Sequence, residues 1–352
     1  MADIEQSEPP IPIPGAMRRR SQVVSEESLV TTATLEGGKA LPTVIMPSME
    51  KLNLITWASG HHAQIESTLS TVGGILFRNW SLGGAEEFEG FLEAAFGNLL
   101  QYTNRSTPRT RVAGRVYTST EYPPDQTIPF HNENSYSAQW PMRICFYCDL
   151  PSETGGETPI ADSRAVWRRV PPEIRKRFAE VGVLYVRNYG YGMDLDWPEV
   201  FQTTNRADVE EYCNTWGMEF EWKSGDRLTT RQRLPAVTTH PTTGEPLWFN
   251  QAHLFHVSNL PAETQQELLA LPREQLPRNA YYGNGEEIEQ EVLDAIREAY
   301  LAETVCFPWK QGDVLLLDNM LIAHGRMPYS GHRRILTGMG ISRTWDTEAF
   351  SW

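Results

Sequence analysis

A mainly β fold with flanking helices, built on a double-stranded β-helix (jelly-roll) core, is what this 352-residue sequence predicts. Three observations lead there. Short apolar runs follow one another between turn residues, the pattern of buried or half-buried strands. Strands and helices do not alternate as βαβ units require. No internal repeat and no linker interrupts the chain after residue 40, so 41–352 reads as one domain.

Residues 1–40 are expected to form a flexible N-terminal tail. Positions 9–14 read Pro-Pro-Ile-Pro-Ile-Pro, which can enter neither helix nor ladder, and Arg18, Arg19 and Arg20 follow. A helix is expected over 61–69 and a glycine-bounded buried strand over 73–80. Residues 83–99 place Phe88, Phe91, Leu92 and Phe96 on one helical face. A strand over 112–119 precedes a loop at Pro123 and Pro124. Strands over 142–150 and 159–162 flank a turn at Gly155 and Gly156. Residues 164–179 read as helical, with Pro171 and Pro172 opening the second half. A strand over 183–189 precedes an insert at 194–214 with two helices. Short strands are expected at 218–222, 228–234, 236–240 and 247–250. An acidic amphipathic helix over 285–304 precedes strands at 314–319 and 334–342.

Composition excludes several function classes. A formal net charge of −14 argues against nucleic acid or an anionic membrane as a partner. No apolar run could span a bilayer, and no apolar leader is present. Four cysteines in this length are no disulfide framework. Cys145 and Cys148 would fall on opposite faces of one strand, so they read as buried small hydrophobes. A soluble cytoplasmic enzyme is the expectation, and a homo-oligomer is compatible with it.

The chemistry starts at His131 and Glu133. On an extended segment, side chains two apart share a face, so an imidazole and a carboxylate would lie side by side. These are two members of a 2-His-1-carboxylate triad, which holds non-haem Fe(II) with open positions. His324, read as lying on a loop just past a buried strand, supplies the third ligand. A 2-oxo acid chelating that metal needs a partner for its far carboxylate, and guanidinium fits. Arg333 and Arg334 are adjacent, so one faces inward. The face of Arg334 continues through Leu336, Gly338 and Gly340, which reads as open volume, so Arg334 is taken as the anchor. Thr158 could add a hydroxyl.

Taken in order, His131-x-Glu133, Gly155-Gly156-x-Thr158, His324 and Arg334 resemble the taurine dioxygenase-like, clavaminate-synthase-like Fe(II)/2-oxoglutarate oxygenases. The stretches 130–136, 248–256 and 324–334 look more narrowly like the syringomycin-biosynthesis-type branch. The resemblance implies Fe(II), 2-oxoglutarate and O2 as cofactor and co-substrates. The implied activity is hydroxylation of an unactivated C–H of an amino acid or amino-acid-derived substrate, free or tethered to a peptide-synthetase carrier protein, in natural-product (antibiotic) biosynthesis. Asn134, Tyr136, Asn250, Gln251, His253 and Arg326 are the candidate substrate contacts. His253 and His256 read as a hydrogen-bonded pair rather than metal ligands. Glu133 stands where halogenase relatives carry a small residue, which speaks against halogenation. Gly338 stands where taurine enzymes carry a sulfonate-gripping arginine, which speaks against a sulfonate substrate.

The alternatives are desaturation, epoxidation or cyclisation with the same cofactors, or a non-catalytic metal-binding jelly roll. Arg164, Arg168, Arg169, Arg175, Lys176 and Arg177 form the densest basic stretch. It reads as a solvated helix face, with docking of an acidic carrier protein as the alternative.

Overall fold

The computed structural model describes residues 29–35, 38–101, 109–120 and 122–345. Residues 1–28, the larger part of the expected tail, lie outside the described residues. Val30–Ala33 falls within that expected tail but pairs antiparallel with Thr43–Pro47, so the folded chain reaches back past residue 41.

The principal sheet has eight strands. Its order is Val30–Ala33, Thr43–Pro47, Gly74–Phe77, Val314–Asp318, Gln139–Leu150, Arg334–Thr344, Val116–Thr118 and Arg111–Ala113. Facing it is a smaller sheet in the order Ile128–His131, Ile322–Arg326 and Ile160–Asp162. Distant segments are thereby zipped together, as a double-stranded β-helix requires. Alternation divides the apolar side chains between two cores. Cys145, Tyr147, Leu316 and Leu336 pack against helices Leu54–Gly60, His62–Val72 and Gly84–Phe96. Ile144, Phe146, Leu315, Leu317, Ile335 and Met339 face the interior between the sheets. Cys145 and Cys148 are free, buried and in different cores, and burial pushes Cys148 up to about 12.

The insert is larger than expected. Helices Trp197–Phe201 and Arg206–Thr215 close a small core over a four-stranded sheet. That sheet takes in Arg278–Tyr282, and the helix expected over 285–304 is confined to Gln290–Ala302. The basic stretch is paired within the chain: Arg164 with Asp162 and Glu245, Arg169 with Glu303, and Arg177 with Glu286 and Glu289.

Candidate metal centre

His131 closes the strand Ile128–His131, and His324 lies directly opposite it in Ile322–Arg326. The two rings are 4.4 Å apart between centroids. His324 is therefore on a strand and not on a loop. Ile322–Arg326 is buried throughout, and a side chain at Gly325 would press on the carbonyl of Ile128. Glu133 also differs from expectation. It lies in a turn just past the strand end rather than on a continuing extended segment.

Asn319 fixes that turn. Glu133 N–H donates to Asn319 Oδ1 at 2.7 Å, and Asn319 Nδ2 donates to the carbonyls of Glu133 at 2.9 Å and Pro141 at 2.8 Å. Asn132 Nδ2 donates back to the Asn319 carbonyl at 2.7 Å. The result brings one ligand atom each of His131, Glu133 and His324 within 4.8 Å of one another. Asn319→Leu strands three buried backbone groups at about 1–3 kcal/mol each, so chemical denaturation should show a loss of several kcal/mol. Ferrous titration should show an affinity roughly 10–100-fold weaker, the usual cost of losing a group that orients a ligand.

The electrostatics suit a metal cation. Burial lowers both imidazole pKa values, so the neutral, metal-binding form prevails. His131 Nδ1 donates to the Pro129 carbonyl at 2.8 Å, which leaves Nε2 as the lone-pair atom. Arg109 Nη2 donates to Glu133 Oε2 at 2.7 Å, with both side chains under 5% exposed. Nothing in the sequence flagged Arg109, because an isolated arginine ahead of a strand carries no motif. Two neutral imidazoles and one carboxylate are the donor set of non-haem Fe(II) sites with open positions.

A cleft opens beside the triad, lined by His131, His324, Phe146, Thr158, Ile335 and Arg333. Arg334 is not there, and the expectation that it faces inward is corrected. It is exposed and paired with Asp149 on the outer surface. Gly338 and Gly340 do not leave open volume. A Cβ at either would overlap Leu92 or Phe96 of the Gly84–Phe96 helix, so these glycines admit the helix. The interior face is that of Ile335 and Met339, and alternation then turns Arg333 inward. Arg333 Nε donates to the Gly156 carbonyl at 2.9 Å. Burial and the neighbouring Arg326 lower it to about 10, so it remains a cation at neutral pH. Gly156 has φ +75°, and a side chain there would press on the Arg333 stem. Thr158 is buried in the cleft and accepts from Trp309 Nε1 at 3.1 Å, which leaves its O–H to donate.

The candidate substrate contacts are mostly structural. Asn250 Nδ2 donates to Ala236 O, and its Oδ1 accepts from Ala252 N–H. Gln251 Nε2 donates to Asn132 O at 2.8 Å, and His253 Nε2 to Phe130 O at 2.9 Å. All three are buried, and Gln251 and His253 brace the metal-bearing segment from behind. Tyr136 packs on Phe255 and Tyr185, and Asn134 shapes the turn with φ 57°. Arg326 does line the cleft, but its guanidinium donates to the carbonyls of Tyr122, Pro123 and Gln126 and ties that loop down.

Burial lowers His253 to about 3. The unfolded chain binds this proton near pH 6.5, so the contribution is complete above that value and is lost as pH falls from 6.5 toward 3. Urea midpoints should drop by the equivalent of about 1.4 kcal/mol per pH unit in that window. His253→Gln should remove that share of the slope.

Residues 42–339 match the family described as "Taurine catabolism dioxygenase TauD, TfdA family". The dapdiamide synthesis protein DdaC of Enterobacter agglomerans is 43% identical over 275 residues, 78% of this chain and 84% of that one. A clavaminate synthase-like protein of Arabidopsis thaliana is 33% identical over 286 residues, 78% of this chain and 83% of that one. A taurine dioxygenase structure from Burkholderia xenovorans superposes with TM-score 0.51 at 15% identity, covering 90% of this chain and 92% of that one, which supports the fold. The chain belongs to the TauD/TfdA family and is an Fe(II)- and 2-oxoglutarate-dependent dioxygenase.

Proposed function

We propose that this enzyme hydroxylates an unactivated C–H bond of an amino acid or amino-acid-derived substrate in the biosynthesis of a natural product. The observation that carries this reading is the complete triad: His131 and His324 beside the carboxylate of Glu133, with a chamber adjoining. The similarity to DdaC supports the biosynthetic setting.

In this reading His131, Glu133 and His324 hold Fe(II). Arg333, in place of Arg334, takes the far carboxylate of 2-oxoglutarate as a charge-assisted hydrogen-bond donor, and the Thr158 hydroxyl donates beside it. The bound metal and 2-oxoglutarate together supply the activation of O2. The chain supplies placement. Asn319 and Arg109 fix the carboxylate ligand, and Gln251 and His253 brace the segment that carries it. Phe146 and Ile335 keep the cleft wall apolar, which limits water around the reacting groups.

The test follows succinate release from 2-oxoglutarate across a panel of free and carrier-tethered amino acids, with product mass read in parallel. A gain of one oxygen supports hydroxylation. A loss of two hydrogens replaces it with desaturation, and metal binding without any consumption of 2-oxoglutarate leaves a binding protein.

A further inference from the structure

Beside the metal centre, sharing Thr120 and Ile128 with its cleft, lies a chamber of about 520 Å³. That is within the range of about 300–1,000 Å³ usual for small-molecule sites. Its wall is largely apolar, with Met193, Leu254, Phe255, Val257 and Leu260. The charged side chains on it are Asp194, Glu267 and Arg278. Asp194 and Arg278 satisfy each other. Arg278 Nε donates to Asp194 Oδ2 at 2.7 Å, Arg278 Nη2 donates to Oδ1, and the Leu195 N–H donates to Oδ1 at 2.8 Å. Glu267 is exposed to water, which screens its charge.

His256 lies on the same wall, and its hydrogen-bond partner is Ser258 rather than His253. The Ser258 N–H donates to His256 Nδ1 at 3.1 Å, and Ser258 Oγ lies 2.8 Å from the same nitrogen. Arg297 Nη2 donates to that hydroxyl oxygen at 2.8 Å, which leaves the hydroxyl proton for Nδ1. A backbone N–H only donates, so Nδ1 carries a lone pair. Burial and the nearby Arg297 push the ring down to about 4, so it is uncharged at neutral pH. A neutral imidazole with its lone pair on Nδ1 carries its proton on Nε2. Among the described residues nothing accepts from Nε2, and the atom is not sealed off from open space. The chamber therefore offers an uncharged donor of fixed tautomer on an apolar wall, and an uncharged acceptor complements it.

Building on the proposed function, we propose that this chamber receives the organic substrate and that His256 Nε2–H donates to an uncharged carbonyl oxygen on it. The substrate class is an amino-acid derivative with an apolar body and an amide-type carbonyl, its end in the chamber carrying no charge. A free carboxylate here gives up its hydration and meets a guanidinium already held by Asp194. An ammonium group meets a donor where it needs an acceptor.

The probes are octanamide, octanoate and octylamine, titrated calorimetrically into the full-length, iron-free protein. Leu254→Trp narrows the chamber and leaves His256 and the ion pair in place, so binding that it weakens is binding in the chamber. There octanamide should bind at least about tenfold more tightly than either charged probe. His256→Phe keeps an aromatic ring but no N–H, and should weaken octanamide about three- to tenfold, the increment of one uncharged hydrogen bond. His256→Gln restores an N–H donor and should recover part of that loss. His256 also caps the turn that follows it, so His256→Phe could fail to fold. Nitrogen-15 NMR of the wild-type imidazole then decides: Nε2 should read as the protonated nitrogen, and its resonance should move with octanamide and stay put with octylamine. Four results overturn the proposal: octanoate or octylamine matching octanamide in the chamber; an octanamide affinity in His256→Phe within about twofold of wild type; a proton on Nδ1; or octanamide binding that is absent or unchanged by Leu254→Trp. The titration needs neither iron nor turnover, so its failure is distinct from failure of the hydroxylase reading.

Discussion

Arg333→Met is expected to raise the KM for 2-oxoglutarate roughly a hundredfold, the cost of removing one partner of a buried charge pair. Arg334→Met should change it less than about twofold, as befits an exposed ion pair. The two residues are neighbours with the same chemistry, so the contrast isolates direction. Arg333 lies on the wall shared with His131 and His324, whereas Arg334 meets Asp149 outside. Arg333→Lys should recover only part of the loss, because an ammonium lacks the planar fork that matches a carboxylate. Steady-state succinate formation at varied 2-oxoglutarate measures all three variants. Equal effects of the Arg333 and Arg334 changes would place the co-substrate somewhere other than the cleft.

The triad was legible because metal chemistry restricts residue types strongly. Two imidazoles and a carboxylate in order, with an arginine pair following the second imidazole, leave few other readings. The face assignment of the last strand failed for a specific reason. A glycine reads equally as space for a ligand or as room for a helix, and one strand in isolation does not say which. Leu92 and Phe96 decide it, and they lie more than two hundred residues earlier. Asn250, Gln251 and His253 were misread by a similar ambiguity. Polar side chains near a site either meet substrate or brace the backbone, and here the acceptors are main-chain carbonyls. Arg109 and Asn319 were invisible because their partners depend wholly on tertiary placement. The strand at Arg278–Tyr282 was missed because its place at the edge of the four-stranded sheet, paired with Val183–Tyr189, depends on tertiary placement.

Glu133→Ala should abolish substrate-coupled succinate formation, by roughly a thousandfold or more. The variant loses a carboxylate that Arg109 contacts and the anionic member of the donor set. Two imidazoles alone bind a divalent cation without offsetting its charge, and the nearby guanidinium then repels it. Stability should fall too, because breaking a buried ion pair by removing one partner costs about 3–5 kcal/mol. The lower end is expected here, since Arg109 also reaches Thr120 Oγ1 at 3.4 Å. These two losses separate in the double variant Arg109→Met/Glu133→Ala. Removing that guanidinium should return most of the denaturant midpoint while activity stays absent. Anaerobic addition of Fe(II) and 2-oxoglutarate should give the visible chelate band in the wild type and in neither variant. A Glu133→Ala protein that still coupled substrate to succinate at a tenth of the wild-type rate would mean that the metal sits elsewhere. The pairing of His131 with His324 across the small sheet would then be packing alone.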